Sequence, residues 1–165
     1  TKLRRHSGHI GQCAGPDDVF LGLRGLRTLG VRLVRHQESA LEIAAWLTAR
    51  DEVDRVLHPG LPDCPGHDTW KRDFTGASGL FSFVLKAGDE KATTAFLEGM
   101  DHFKMGFSWG GFESLSLAYH NVNRIRPASG GQAPGPVIRL HIGLEDVDDL
   151  KQDLDRAFAR YRAAL

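Results

Sequence analysis

The chain has 165 residues, 41% of them hydrophobic, a size that fits one compact domain with a single core. Its 21 basic and 21 acidic residues cancel without any long run of one sign, which excludes the electrostatic footprint of a nucleic-acid or anionic-lipid binder. Cys13 and Cys64 lie far apart without CxxC spacing, so a disulfide framework or thiolate metal site is not expected and a reducing cytoplasm is.

Thr1-Lys2-Leu3-Arg4-Arg5-His6 has no apolar segment behind it, and no apolar run reaches roughly 18 residues, so neither a signal peptide nor a membrane span is expected. The absence of an initial Met reads as a cut end. Gly15-Pro16-Asp17-Asp18 starts a helix, because Pro suits the first turn and carboxylates suit the positive end. Val19, Phe20, Leu23, Leu26 and Arg27 keep a helical period. Val31, Leu33, Val34, Leu41, Ile43, Ala44 and Leu47 resume it through Ala49, which predicts a short helix, a break near Gly30 and a long helix. Val53 to Leu57 reads as a strand ended by His58-Pro59-Gly60, with a loop to about Thr75. Gly79 to Lys86 alternates as a strand, Asp89 can cap a helix over Glu90 to Met100, and a short extended stretch runs from Lys104 to Phe107. Leu115 to His120 and Val137 to Ile142 are strands around a loop over Ser129 to Pro136. Asp146 to Ala164 closes as a helix with Val147, Leu150, Leu154, Ala157, Phe158 and Tyr161 on its apolar stripe. The sum is an α+β domain, mostly an antiparallel sheet with helices packed on one face.

Arg139 lies inside the apolar strand Val137-Ile138-Arg139-Leu140-His141-Ile142, and a guanidinium there needs an answering group. Its planar fork suits a substrate carboxylate; an internal ion pair with Asp or Glu is the alternative. Ser108-Trp109-Gly110-Gly111 offers a hydroxyl, an indole and two glycines that let backbone approach a ligand. The alternative there is a tight turn with Trp109 packed in the core. Glu113 reads as a structural hydrogen-bond partner. His58, His67, His102, His120 and His141 lack metal-ligand spacing, so polar and packing roles are expected and no metal is. No G-x-S-x-G elbow or phosphate-binding glycine motif occurs.

Five segments occur in fixed order: Gly11-Gln12-Cys13-Ala14-Gly15-Pro16-Asp17-Asp18, Leu23-Arg24-Gly25-Leu26-Arg27-Thr28-Leu29, Trp70-Lys71-Arg72-Asp73-Phe74, the Ser-Trp-Gly-Gly segment, and Ile138-Arg139-Leu140-His141-Ile142-Gly143-Leu144-Glu145-Asp146. With them, the chain resembles the C-terminal part of the cystathionine β-lyases, in the Cys/Met-metabolism branch of fold-type I enzymes dependent on pyridoxal 5'-phosphate (PLP). Trp after the motif serine favours the β-lyases over the γ-lyases and γ-synthases, which usually have Leu there.

The resemblance implies β-elimination of cystathionine to homocysteine, pyruvate and ammonia, with PLP as electron sink. It implies that Arg139 and Ser108 hold the substrate α-carboxylate and that Trp109 shapes the adjoining wall. It also implies homotetramers of full-length relatives. The family's cofactor lysine stands in a Ser-x-Thr-Lys-Tyr-x-x-Gly-His-Ser-Asp motif. Thr1-Lys2 matches two letters of it, but Leu3 stands where Tyr belongs and Gly8-His9 comes late, so Lys2 is not assigned as the Schiff-base lysine and no catalytic or cofactor-binding residue is assigned in this chain. The stretch after Leu115 also departs from the family pattern. The expected organisation is one C-terminal domain over residues 1–165, with a lead segment at 1–15, connecting helices at 16–50 and an α+β core at 51–165. The large PLP-binding domain is expected to be absent and the isolated chain inactive. The competing expectation is a non-catalytic remnant or partner-binding module with an exposed apolar patch on the helical segment from Pro16 to Ala49; a γ-lyase or γ-synthase fragment is a third.

Overall fold

The computed structural model describes residues 1–120 and 133–165 and divides the chain into two compact units, Thr1–Val31 and Arg32–Leu165. The expected loop from Ser129, up to residue 132, lies outside the described residues.

The first unit is built from α1 (Lys2–His9) and α2 (Pro16–Arg27), neither of which has a buried residue. A helix in the expected lead segment is a departure from the sequence reading, since its basic residues carry no apolar stripe. In α2, Pro16 opens the helix, Asp17 and Asp18 occupy the first turn, and Arg24 and Arg27 the last, each charge matched to its end of the macrodipole. The break comes at Thr28, ahead of the expected Gly30. Thr28 Oγ1 donates to the Gly25 carbonyl at 3.3 Å, offering that carbonyl a partner outside the helical ladder. Val19, Phe20, Leu21, Leu23 and Leu26 are all exposed.

The second unit contains a five-stranded sheet in the order β1-β2-β5-β4-β3, formed by Val53–Leu57, Leu80–Leu85, Lys104–Met105, Leu115–Tyr119 and Val137–His141 in chain order. The pairs β1-β2, β2-β5 and β5-β4 are antiparallel, and β3-β4 is parallel. The class is α+β, as the sequence predicts. Its helices are α3 (Leu29–Thr48, most of which belongs to this unit), α4 (His67–Asp73), α5 (Glu90–Leu97) and α6 (Val147–Ala164). The sequence reading left 67–73 in a loop. The only large apolar side chain in α4 is Trp70, so no stripe announces it; Gly66 at φ +86° introduces it, and Trp70 Nε1 donates to the Gly76 carbonyl at 3.1 Å.

Because side chains alternate along strands, Phe81, Phe83 and Leu85 of β2 share a face with their β5 neighbours Ile138 and Leu140. That face joins Ile43 and Leu47 of α3, Phe96 of α5, and Leu154, Phe158 and Tyr161 of α6 in one core. The opposite face of β5 carries Val137, Arg139 and His141, paired across β4 with Tyr119, Leu117 and Leu115. Core packing therefore fixes where Arg139 and His141 point.

Helix caps behave as their residues predict. Asp89 accepts from Ala92 N–H at 2.9 Å, and Asp146 accepts from Asp148 N–H at 2.9 Å. Asp153 breaks the apolar stripe of α6 and is fully buried. Its carboxylate accepts from the backbone N–H groups of Asp101, His102 and Phe103 at 3.0, 2.8 and 3.2 Å, tying the turn before β3 to the helix. Burial pushes this carboxyl up, but the three N–H donors and Arg156 outweigh it and hold it below its ordinary value.

Asp153→Ala should destabilise the fold by about 2–4 kcal/mol in urea unfolding, because three backbone donors, that of buried Phe103 among them, lose their acceptor. Since the folded value is depressed, the stabilisation from Asp153 is present above the unfolded carboxyl value of about 3.9 and is lost as pH falls through the folded value. Asp153→Ala should therefore show a smaller acid-induced loss of stability than the parent chain.

Candidate carboxylate-binding site

The segment 106–114 and the end of β5 form one polar cluster, gripped at alternate positions along 139–145. Arg139 Nη2 donates to the backbone carbonyls of Gly106, Phe107 and Ser108 at 3.0, 2.9 and 3.2 Å. His141 meets the Gly110-Gly111 turn, with Nε2 3.0 Å from Gly110 N and 3.2 Å from the Gly111 carbonyl oxygen. Gly143 N–H donates to Ser114 Oγ at 2.9 Å. Glu145 accepts from Ser114 N–H at 2.7 Å and from its hydroxyl at 2.8 Å. The Leu144 N–H donates to the Phe112 carbonyl at 2.9 Å.

The internal acid expected as one alternative for Arg139 is not found among the described residues. No carboxylate pairs with it among the described residues; three carbonyls orient it instead. Carbonyl dipoles fix a guanidinium without cancelling its charge. Its Nε is buried without a hydrogen-bond partner. Nη1 makes no hydrogen bond to a described residue.

Ser108 is exposed and brought to Arg139 through its backbone, while its hydroxyl bonds to no described residue. Trp109 is 60% exposed, which overturns the alternative of a core tryptophan. Phe107 and Phe112 are exposed beside it, so the segment presents an aromatic rim around the guanidinium's loop. Glu113 is exposed and its side chain bonds to no described residue, so the structural role expected of it falls to Glu145. A Cβ at Gly143 would overlap the Phe112 carbonyl and the Glu145 carboxylate, so close approach of the two segments needs glycine there.

His141 was expected to have a scattered packing role, and the sequence reading missed its place in the cluster. The available signal was its position two residues beyond Arg139, on the same strand face. His36 of α3 stacks edge-on against it with ring centroids 5.1 Å apart. Burial pushes both imidazoles below the ordinary histidine value. Arg139 adds to this at His141, where the Gly111 carbonyl and Glu145 oppose it.

The cluster provides a fixed cation, backbone groups and an aromatic rim, the equipment for an amino-acid carboxylate. Lys104, the lysine nearest in sequence to the segment, donates from Nζ to the Asp101 carbonyl at 2.7 Å. A depression of about 520 Å³ lined by Lys2, Leu3, Arg5, His6 and His9 belongs to α1 alone and is open to solvent.

Fold and site define an α+β protein with an arginine held on three backbone carbonyls. Residues 1–159 match the family described as Cys/Met metabolism PLP-dependent enzyme. The chain belongs to that family, whose cofactor is pyridoxal phosphate. It is 52% identical over 162 residues to the cystathionine beta-lyase of Salmonella typhimurium, covering 96% of this chain and 41% of the relative. It is also 41% identical over 144 residues to the L-alanine/L-glutamate racemase of Wolbachia pipientis, covering 87% of this chain and 36% of that protein. Among solved structures, cystathionine gamma synthase from Xanthomonas oryzae pv. oryzae, in complex with aminoacrylate and cysteine, superposes with a TM-score of 0.81 at 38% identity over 95% of this chain and 41% of its own. The chain spans about two fifths of the length of these relatives.

Ser114→Ala should cost roughly 1–3 kcal/mol, since it leaves the Gly143 N–H and one Glu145 oxygen unpaired. Urea unfolding of the 165-residue chain measures it.

Proposed function

We propose that this chain is the C-terminal, substrate-carboxylate-binding part of a PLP-dependent cystathionine β-lyase, and that residues 1–165 act with an N-terminal PLP-binding domain. The observation that carries the reading is Arg139, a guanidinium oriented by three carbonyls and unpaired with any described carboxylate. In this reading Arg139 binds the α-carboxylate, the Ser108 hydroxyl adds a second donor, and Trp109 forms the adjoining wall. Fixing the carboxylate fixes the orientation of the bond to be broken at Cα, a positioning contribution. Pyridoxal phosphate supplies the electron sink, held by residues of the N-terminal part. The likeness in sequence to a cystathionine beta-lyase supports cystathionine as substrate.

The exposed apolar side chains of α2, Val19, Phe20, Leu21, Leu23 and Leu26, support an origin in a larger assembly, because such a surface is normally covered. In this reading they pack against the PLP-binding part and the full enzyme is a homotetramer. The free thiols Cys13 and Cys64 fit a reducing cytoplasm. Among the described residues no helix is long and apolar enough to cross a membrane.

A second reading is a related enzyme acting on a different amino acid, favoured by the likeness to the γ-synthase and the racemase. An α-carboxylate site serves every amino-acid substrate. Substrate comparison on the holoenzyme decides between the readings: turnover of cystathionine to pyruvate supports the β-lyase, and racemisation without pyruvate overturns it.

In the holoenzyme, Arg139→Leu should lower kcat/KM by roughly 30- to 1,000-fold, corresponding to about 2–4 kcal/mol for an unpaired charge contact, with bound PLP retained. Unchanged kinetics would remove Arg139 from the site. The isolated chain, incubated with PLP and dialysed, should retain no visible cofactor band.

A further inference from the structure

We propose that His141 is a positioning residue for the carboxylate site, holding the Gly110-Gly111 turn against β5 through its Nε2; this rests on the reading of Arg139 as the carboxylate ligand. The turn has few other fastenings. Gly110 sits at φ +83°, neither glycine has a side chain, and no heavy atom outside the immediate chain lies within 4 Å of where a Cβ would stand on either. The His141 imidazole reaches it, Nε2 lying 3.0 Å from Gly110 N. Ser108 and Trp109 immediately precede the turn, so its position sets theirs.

The ring is itself held in place. It is 1% exposed, with His36 edge-on against it. Gly79 leaves the ring room, since a Cβ there would come within 3.1 Å of its Nδ1 and Cε1. His36 is fully buried, and neither of its nitrogens has a hydrogen-bond partner among the described residues.

Protonation decides which contact the ring makes. The Gly110 N–H needs a lone pair on Nε2, and an imidazolium has none. A ring carrying Nε2–H, neutral or charged, donates instead to the Gly111 carbonyl, so protonation exchanges the Gly110 contact for the Gly111 contact. A protonated ring also adds a second cation beside Arg139. The charged and titratable groups facing His141 are Arg139 on its own strand, Glu145 from the turn after β5, and His36 of α3 with Arg32 beyond it. Burial lowers the His141 value, which keeps the ring neutral near pH 7.

Two variants test this in the PLP-loaded holoenzyme. His141→Ala should raise KM by roughly 10- to 100-fold with a smaller change in kcat and full retention of PLP, as displaced binding groups do. His141→Gln places an amide near Nε2 that accepts and donates without titrating. It should bring KM back to within about threefold of the parent. In the 165-residue chain, the Gly110 amide resonance should follow His141 ionisation below the ordinary imidazole range and lose that dependence in His141→Gln. A KM in His141→Ala within about twofold of the parent, or a Gly110 amide insensitive to His141, overturns the proposal. Arg139→Leu measured alongside separates the two ideas. Unchanged KM there overturns the carboxylate reading, whereas raised KM there with unchanged KM in His141→Ala overturns only the role of His141.

Discussion

β5 has antiparallel partners on both sides, so its backbone is committed to the ladder and its side chains must alternate between faces. Ile138 and Leu140 go to the core, and that burial fixes Arg139 and His141 on the other face. A shift of one residue in register would bury the guanidinium and expose the isoleucine, a large loss on both counts. The same alternation continues past the strand, where Gly143 and Glu145 grip Ser114. Core packing and the carboxylate site are thus consequences of one strand's geometry.

The segment 106–114 contributes little packing of its own. Phe107, Trp109 and Phe112 are exposed, and the segment is held by hydrogen bonds to residues of 139–145. Such fastening suits a site that must present backbone and aromatic edges to a ligand. Asp153 performs a comparable task at the other end of the segment, fixing the turn at 101–103 from a buried position on α6.

Family membership and the geometry of Arg139 constrain function to different depths. Membership brings PLP chemistry, which is common to enzymes that break different bonds of an amino acid. Recognition of the α-carboxylate is shared by such reactions too, so the choice among them is made by groups around the rest of the substrate. This chain spans about two fifths of its relatives, and the reaction assigned to the whole enzyme is accordingly a proposal.

Much of the second unit was legible in the sequence. β1 falls on Val53–Leu57, and β2, β5 and α6 fall within about two residues of their expected ends, because alternation and helical periodicity are local signals. Arg139 stood out because a charge in an apolar strand is locally anomalous. The helices α1 and α4 did not, since neither has an apolar stripe to announce it. What only tertiary structure decided is which groups answer one another across the thirty-odd residues between the two segments. Sequence offered Arg139 a substrate carboxylate or an internal acid, and folding supplied three backbone carbonyls. It offered Glu113 as the structural acid, and folding chose Glu145. Backbone carbonyls and the approach of distant segments leave no residue-type signature, so their pairing is fixed only when the strands assemble.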